Sequence, residues 1–118
     1  MKVLIVEDSS LLLERIDAIL SEIKCISEIS KTSNGLDVVK LHIEKNHDVI
    51  ILDINLPDAS GISILKEIKS FSKAKVIMLT NYSDPQYREI CANLGADHFL
   101  DKSTEFEKIP TILKDFCI

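Results

Sequence analysis

Three runs of four apolar residues, Val3–Val6, Val49–Leu52 and Val76–Leu79, each stop abruptly at a polar side chain. A strand with one wet face alternates apolar and polar residues; an unbroken run rich in β-branched types is a strand covered on both faces. Several such strands are hidden together only in a parallel sheet between two layers of helices. The intervening stretches supply those helices. Leu12, Ile16, Ile19, Leu20 and Ile23 recur at helical spacing, as do Leu36, Val39 and Ile43, and Ile64, Leu65, Ile68 and Phe71. Further stripes are Tyr87, Ile90, Cys91 and Leu94, then Phe106, Ile109, Leu113 and Phe116. Weaker strands at Ile26–Lys31 and Ala96–Leu100 complete five β-α pairs. Right-handed crossovers then favour an α/β, doubly wound (βα)5 sheet of strand order 2-1-3-4-5. The 118 residues suit one domain, 1–118, with no linker or repeat.

Local signals punctuate this pattern. Ser9 or Ser10 is available as the first helix's N-cap, and Asn34-Gly35 marks a turn. Asp84-Pro85 pairs a capping residue with proline at the first helical position, and Gly95 suits a left-handed helix stop. Thr104–Glu107 has capping-box spacing. Pro110 either kinks the last helix or marks where its regular part begins.

In open α/β sheets ligands bind at the carboxyl ends of the strands, next to the point where strand order reverses. The residues expected there are Glu7-Asp8 after the first strand, Asp53 after the third, Thr80 after the fourth and Asp101-Lys102-Ser103 after the fifth. Singly, each fits a solvated loop or a cap. Jointly, three carboxylates, a hydroxyl and an ammonium converge. Clustered carboxylates raise a pKa or recruit a cation, and oxygen-only ligands with an open face select Mg²⁺. A carboxylate beside such an ion can attack a phosphoryl group and form an aspartyl phosphate. Lys102 offers a second positive charge, and Thr80 offers a hydrogen-bond donor to a phosphoryl oxygen.

This arrangement resembles the receiver domains of two-component response regulators, most closely the single-domain, chemotaxis-regulator kind. The resemblance rests on VLIVEDS at Val3–Ser9, VIILDINLPDASG at Val49–Gly61, VIMLT at Val76–Thr80 and GADHFLDKS at Gly95–Ser103. It implies a flavodoxin-like fold and a phosphorylation switch. Asp53 would take the phosphoryl group from a phosphohistidine on a sensor histidine kinase or a phosphotransfer protein. Mg²⁺ would be held by Asp8, Asp53 and the backbone carbonyl of Asn55, with Glu7 joining through water. Lys102 would bridge Asp53 to the phosphoryl group. Thr80 would swing inward on phosphorylation, and Phe99 would follow, remodelling the face offered to a downstream protein partner. Such a protein catalyses only its own phosphoryl transfer and hydrolysis and is otherwise no enzyme.

The sequence departs from that family pattern in places. Ser103 replaces the usual proline after the lysine, so the usual cis bond is not expected to be obligatory. Asn81 replaces a small residue, and a bulky Tyr82 flanks the path of an attacking water opposite Asn55. Phe99 lacks the hydroxyl of the commoner tyrosine. One alternative is a pseudo-receiver, a binding module never phosphorylated; the intact acids, Thr80 and Lys102 speak against it. Another is a phosphatase of the haloacid dehalogenase type, which needs an acid where Asn55 stands.

The remaining features exclude more than they assign. The net charge of −5 and the lack of a Lys/Arg cluster argue against direct DNA binding. Neither a secretory signal nor an 18-residue apolar stretch is visible, so a cytoplasmic monomer or weak homodimer without membrane contact or output domain is expected. Cys25, Cys91 and Cys117, odd in number and without CxxC spacing, are expected as separate reduced thiols. His42, His47 and His98 show no metal-ligand spacing and are expected to be structural or solvated.

Overall fold

The computed structural model describes residues 1–117; Ile118, the last residue of the expected domain, lies outside the described residues. Five parallel strands, β1 (Lys2–Val6), β2 (Glu28–Thr32), β3 (Val49–Leu52), β4 (Lys75–Thr80) and β5 (His98–Asp101), form one sheet in the order β2-β1-β3-β4-β5. The helices are α1 (Ser10–Ser21), α2 (Val38–Lys45), α3 (Gly61–Phe71), α4 (Pro85–Asn93) and α5 (Ile109–Phe116). The fold is the flavodoxin-like α/β arrangement that the buried runs require.

Burial on both faces explains the unbroken runs. Leu4, Val6, Ile50, Leu52, Val76 and Met78 pack against α2, α3 and α4 through Val38, Ile64, Leu65, Ile68 and Cys91. The alternate residues Val3, Ile5, Val49, Ile51, Ile77 and Leu79 face Ile16 and Leu20 of α1 and Ile109, Ile112 and Leu113 of α5. The period-two alternation is therefore between two cores rather than between core and water. Each fully buried Leu or Ile contributes about 2 kcal/mol by area.

Several local expectations need correction. On α2 the buried residues are Val38 and His42, whereas Leu36 and Ile43 are 73% and 67% exposed. A 3₁₀ turn, Gly35–Asp37, precedes the helix and shifts its phase. Asp58, from the loop after β3, fixes that turn by accepting the N–H groups of Gly35 (2.7 Å) and Leu36 (3.0 Å). Phe71 and Ile90, expected inward, are exposed. The capping box at Thr104–Glu107 does not form: the helical turn begins at Phe106, which places Glu105 rather than Thr104 at its N-cap, and no side chain caps it. A 3₁₀ turn, Phe106–Lys108, comes first, and Pro110 sits in the first turn of α5. There is no cis peptide bond among the described residues, so Lys102–Ser103 is trans.

Two further findings concern side chains remote in sequence. Cys25 and Cys117 are not separate thiols: their sulfurs are joined across 92 positions, with Cα atoms 6.1 Å apart. The chain returns α5 beside the corner between α1 and β2, a proximity that no local spacing encodes. Cys91 is free and buried, as expected. His42 and His47 stack at 5.7 Å between ring centroids. Asn46, left-handed at φ 55°, ends α2 and turns the chain back so that His47 lies against its helix. Both are almost fully buried; His42 Nε2 meets Ser72 Oγ at 2.7 Å, while neither ring nitrogen of His47 has a protein partner among the described residues. No described helix is long and apolar enough to cross a membrane.

Candidate functional site

Register decides what meets at the carboxyl edge of the sheet. β1 lies between β2 and β3, and Val6 pairs with Leu52, so Glu7 and Asp8 leave the sheet beside Asp53. Carboxylate oxygens of Glu7, Asp8 and Asp53 lie within 4.8 Å of one another. At the next pair of strands Thr80 is in register with Asp101, and the Lys102 N–H donates to the Thr80 carbonyl at 3.0 Å. Lys102 Nζ reaches Asp53 Oδ2 at 2.6 Å and Glu7 Oε1 at 2.7 Å. Four of the five expected side chains thus share one cluster.

Burial sets its electrostatics. Glu7 and Asp53 are 2% and 4% exposed, whereas Asp8 is open to solvent. Buried carboxylates are costly unless paired, and Lys102 is the partner supplied. Desolvation raises the pKa of Glu7, against the opposing pull of the Lys102 hydrogen bond. Burial also works against the Lys102 charge, but hydrogen bonds to Asp53 and Glu7 outweigh it and hold the pKa above the ordinary lysine range. Lys102 is therefore a fixed cation at neutral pH.

The backbone tightens the cluster. Glu7 Oε2 accepts the Ser9 N–H at 2.9 Å, and Ser9 in turn caps α1 by accepting the Leu12 N–H. Asp53 Oδ1 accepts the Asn55 N–H at 3.2 Å. Gly61 allows the loop after Asp53 to close: a Cβ there would lie 1.9 Å from the Asp53 carbonyl oxygen. Glu7, Asp8, Asp53, Asn55, Asn81, Tyr82 and Lys102 are among the walls of a cleft of about 350 Å³.

Thr80 and Phe99 stand apart from the carboxylates. Thr80 is fully buried, and its Oγ1 accepts the Tyr82 N–H at 3.0 Å. Phe99 is half-buried, with the Arg88 guanidinium 4.9 Å from its ring centroid. Arg88 also donates to the Phe99 carbonyl at 3.1 Å and to Glu105. Hydrogen bonds from Arg88 and then Lys108 pull the Glu105 pKa down to about 2. Sequence reasoning missed Arg88, Glu105 and Asp58; Asp58 meets Gly35 and Leu36 22 to 23 positions away, and Arg88 meets Phe99 and Glu105 11 and 17 positions away, at no helical or strand period.

The donor set suits a hard divalent cation. All candidate ligands are oxygens, three of them carboxylates, and Asp8 and Asn55 leave the site open to solvent on one side.

Comparison with known proteins agrees with this geometry. The family model for the response regulator receiver domain matches residues 3–114. The transcriptional regulatory protein YdfI of Bacillus subtilis is 31% identical over 108 residues, covering 92% of this chain and 51% of YdfI. The chain spans about half the length of such curated relatives. Among solved structures, the response regulator TrrA of Thermotoga maritima, in complex with Mg²⁺-BeF, is 32% identical with a TM-score of 0.82, covering 97% of this chain and 96% of that one. The BeF3-activated receiver domain of Klebsiella pneumoniae RstA, at 19% identity, shares the fold with a TM-score of 0.90 over 99% of this chain and 98% of its own. Strand order, the acidic cluster with its lysine and the family match over nearly the whole chain agree: the chain belongs to the response regulator receiver domains of two-component systems.

Proposed function

We infer that the chain is a phosphorylation-dependent switch in which Asp53 accepts a phosphoryl group from a phosphohistidine on a sensor kinase or phosphotransfer protein. The observation that carries this reading is the Lys102 ammonium held between Asp53 and Glu7, at 2.6 and 2.7 Å, inside the three-carboxylate cluster. An Asp53 oxygen attacks phosphorus, the P–N bond breaks, and its electron pair stays with the departing imidazole, which takes up a proton. Glu7, Asp8, Asp53 and the Asn55 carbonyl would hold Mg²⁺, which neutralises charge on the phosphoryl oxygens. Lys102 keeps contact with the modified aspartate and adds a fixed positive charge. Because the Thr80 hydroxyl oxygen only accepts a bond from Tyr82, its proton is available to a phosphoryl oxygen.

That new bond exists only in the modified state, which is the differential interaction a population shift requires. The modification adds charge and acceptor oxygens at one point; Thr80 moves toward them, and Phe99 follows. The altered face then binds a downstream protein. Beyond transfer onto Asp53 and hydrolysis of that acyl phosphate, this unit catalyses nothing, does not touch DNA itself and works in the cytoplasm.

The test is incubation with acetyl phosphate and Mg²⁺ followed by intact mass measurement. Wild type gains about 80 Da, one phosphoryl group, and Asp53→Asn gains nothing. An adduct that persists in the variant sinks the assignment of Asp53.

A further inference from the structure

We propose that Cys25 and Cys117 form a reversible thiol–disulfide site, oxidised by a small-molecule disulfide, that clasps the end of α5 to the corner between α1 and β2. This site is independent of phosphoryl transfer, since neither cysteine is among the residues lining the cleft.

Placement is the first argument. The two sulfurs meet across 92 positions, and the Cα separation of 6.1 Å falls within the usual span of disulfides. Both anchors are held by their own surroundings. Beside Cys25, the Ile26 N–H donates to the Ile23 carbonyl at 3.2 Å, and the Ser27 N–H donates to the Met1 carbonyl at 2.8 Å. The Cys117 N–H donates to the Lys114 carbonyl at 3.1 Å.

Reversibility is the second argument. Both residues are only half-buried, so a small oxidant or reductant reaches them. The Cys117 sulfur also lies 3.2 Å from the Leu113 carbonyl, an acceptor ready for the thiol proton when the bond is open. Each redox state therefore has a partner for that sulfur. Cys91 provides the contrast: it is fully buried, and desolvation raises its pKa, so it presents little thiolate.

The chemistry balances with one co-reactant. The Cys117 thiolate attacks a small disulfide, forms a mixed disulfide and releases one small thiolate. The Cys25 thiolate then attacks the Cys117 sulfur of that intermediate and expels the second. The two cysteines give up two protons and two electrons, and the small disulfide leaves as two thiols. The closed loop spans nearly the whole chain, so the clasp removes much freedom from the unfolded state.

The experiment equilibrates the full chain in glutathione buffers ranging from fully reduced to fully oxidised, followed by intact mass, peptide mapping after alkylation and thermal melting. Wild type is expected to end about 2 Da lighter, with Cys25 linked to Cys117. Its Tm should rise by at least about 5 °C, with full reversal by dithiothreitol. Cys91→Ser should behave as wild type, whereas Cys25→Ser and Cys117→Ser should each retain a glutathione adduct in place of the internal bond. Peptide mapping of wild type decides the matter alone if either variant fails to fold. Glutathione on both cysteines without a link, no modification at all, or a link to Cys91 overturns the proposal.

Discussion

The buried histidine pair gives a stability test that does not depend on signalling. Burial, then the neighbouring His42, lowers the His47 pKa from 6.5 to about 4; Lys2 and Lys45 add to the effect and Glu28 opposes it. His42 shifts the same way through burial. A histidine whose pKa falls on folding binds more protons in the unfolded chain. Its neutral form is at full advantage above the unfolded pKa, and that stability is lost as pH falls from about 6.5 to about 4. For His47 alone, moving from about pH 7 to about pH 5 removes about 2 kcal/mol. With a urea slope of about 1.5 kcal/mol per molar, the midpoint drops by about 1 M. Glu7, whose pKa is raised, works in the opposite sense, losing its contribution as pH rises. Comparing wild type with His47→Leu cancels that background. Leucine also removes two unpartnered ring nitrogens, so the variant is expected to be no less stable near neutrality. Its advantage should widen by about 2 kcal/mol toward about pH 5 in urea melts. Parallel profiles for the two proteins would falsify the claim that His47 is held neutral by its surroundings.

Other residues yield sharper tests of the cleft. Lys102→Ala removes the cation between Asp53 and Glu7 and should slow phosphoryl uptake from acetyl phosphate at least about tenfold; an unchanged rate in a mass time course rejects its role. Gly61→Ala forces a methyl group against the Asp53 carbonyl and should cost more than about 2 kcal/mol in urea melts while impairing phosphorylation. Tyr82→Ala opens a wall shared with Asn55 and should shorten the acyl-phosphate lifetime; equal lifetimes dismiss Tyr82 as a shield against water. Arg88→Ala frees the Phe99 ring from its guanidinium and should broaden or shift the Phe99 ring resonances in the unphosphorylated protein, a change absent if the contact holds nothing in place.

Patterns that depend on burial were readable from residue order; pairings that depend on returning chain were not. Val49–Leu52 is a strand covered on both sides, and four apolar residues closed by an acid state as much. From three such strands, two weaker ones and right-handed crossovers follow the order β2-β1-β3-β4-β5 and the meeting of Glu7, Asp8 and Asp53. The phase of α2 is not legible in the sequence because its 3₁₀ entry is fixed by Asp58, a residue of the loop after β3. His47 lies in the loop after α2, and its burial against the helix has no sequence signal because the left-handed turn at Asn46 leaves no periodic trace. Cys25 and Cys117 have no shared spacing, and only the return of α5 to the first helix brings them together. Arg88 over Phe99 is of the same kind, a contact between neighbouring layers of the fold.

Asp58 has a mechanical consequence. Its two carboxylate oxygens grip the entry of α2, while the segment that carries it begins at Asp53 and closes on its own start through the Gly61 N–H, which donates to the Ile54 carbonyl at 2.7 Å. The segment and the helix are therefore yoked, and a shift of one drags the other. Phosphorylation at Asp53 should then slow or quicken amide exchange at Gly35 and Leu36, on the opposite flank from Phe99, and Asp58→Ala should uncouple that distant response. The sheet would broadcast one chemical event toward two flanks rather than one.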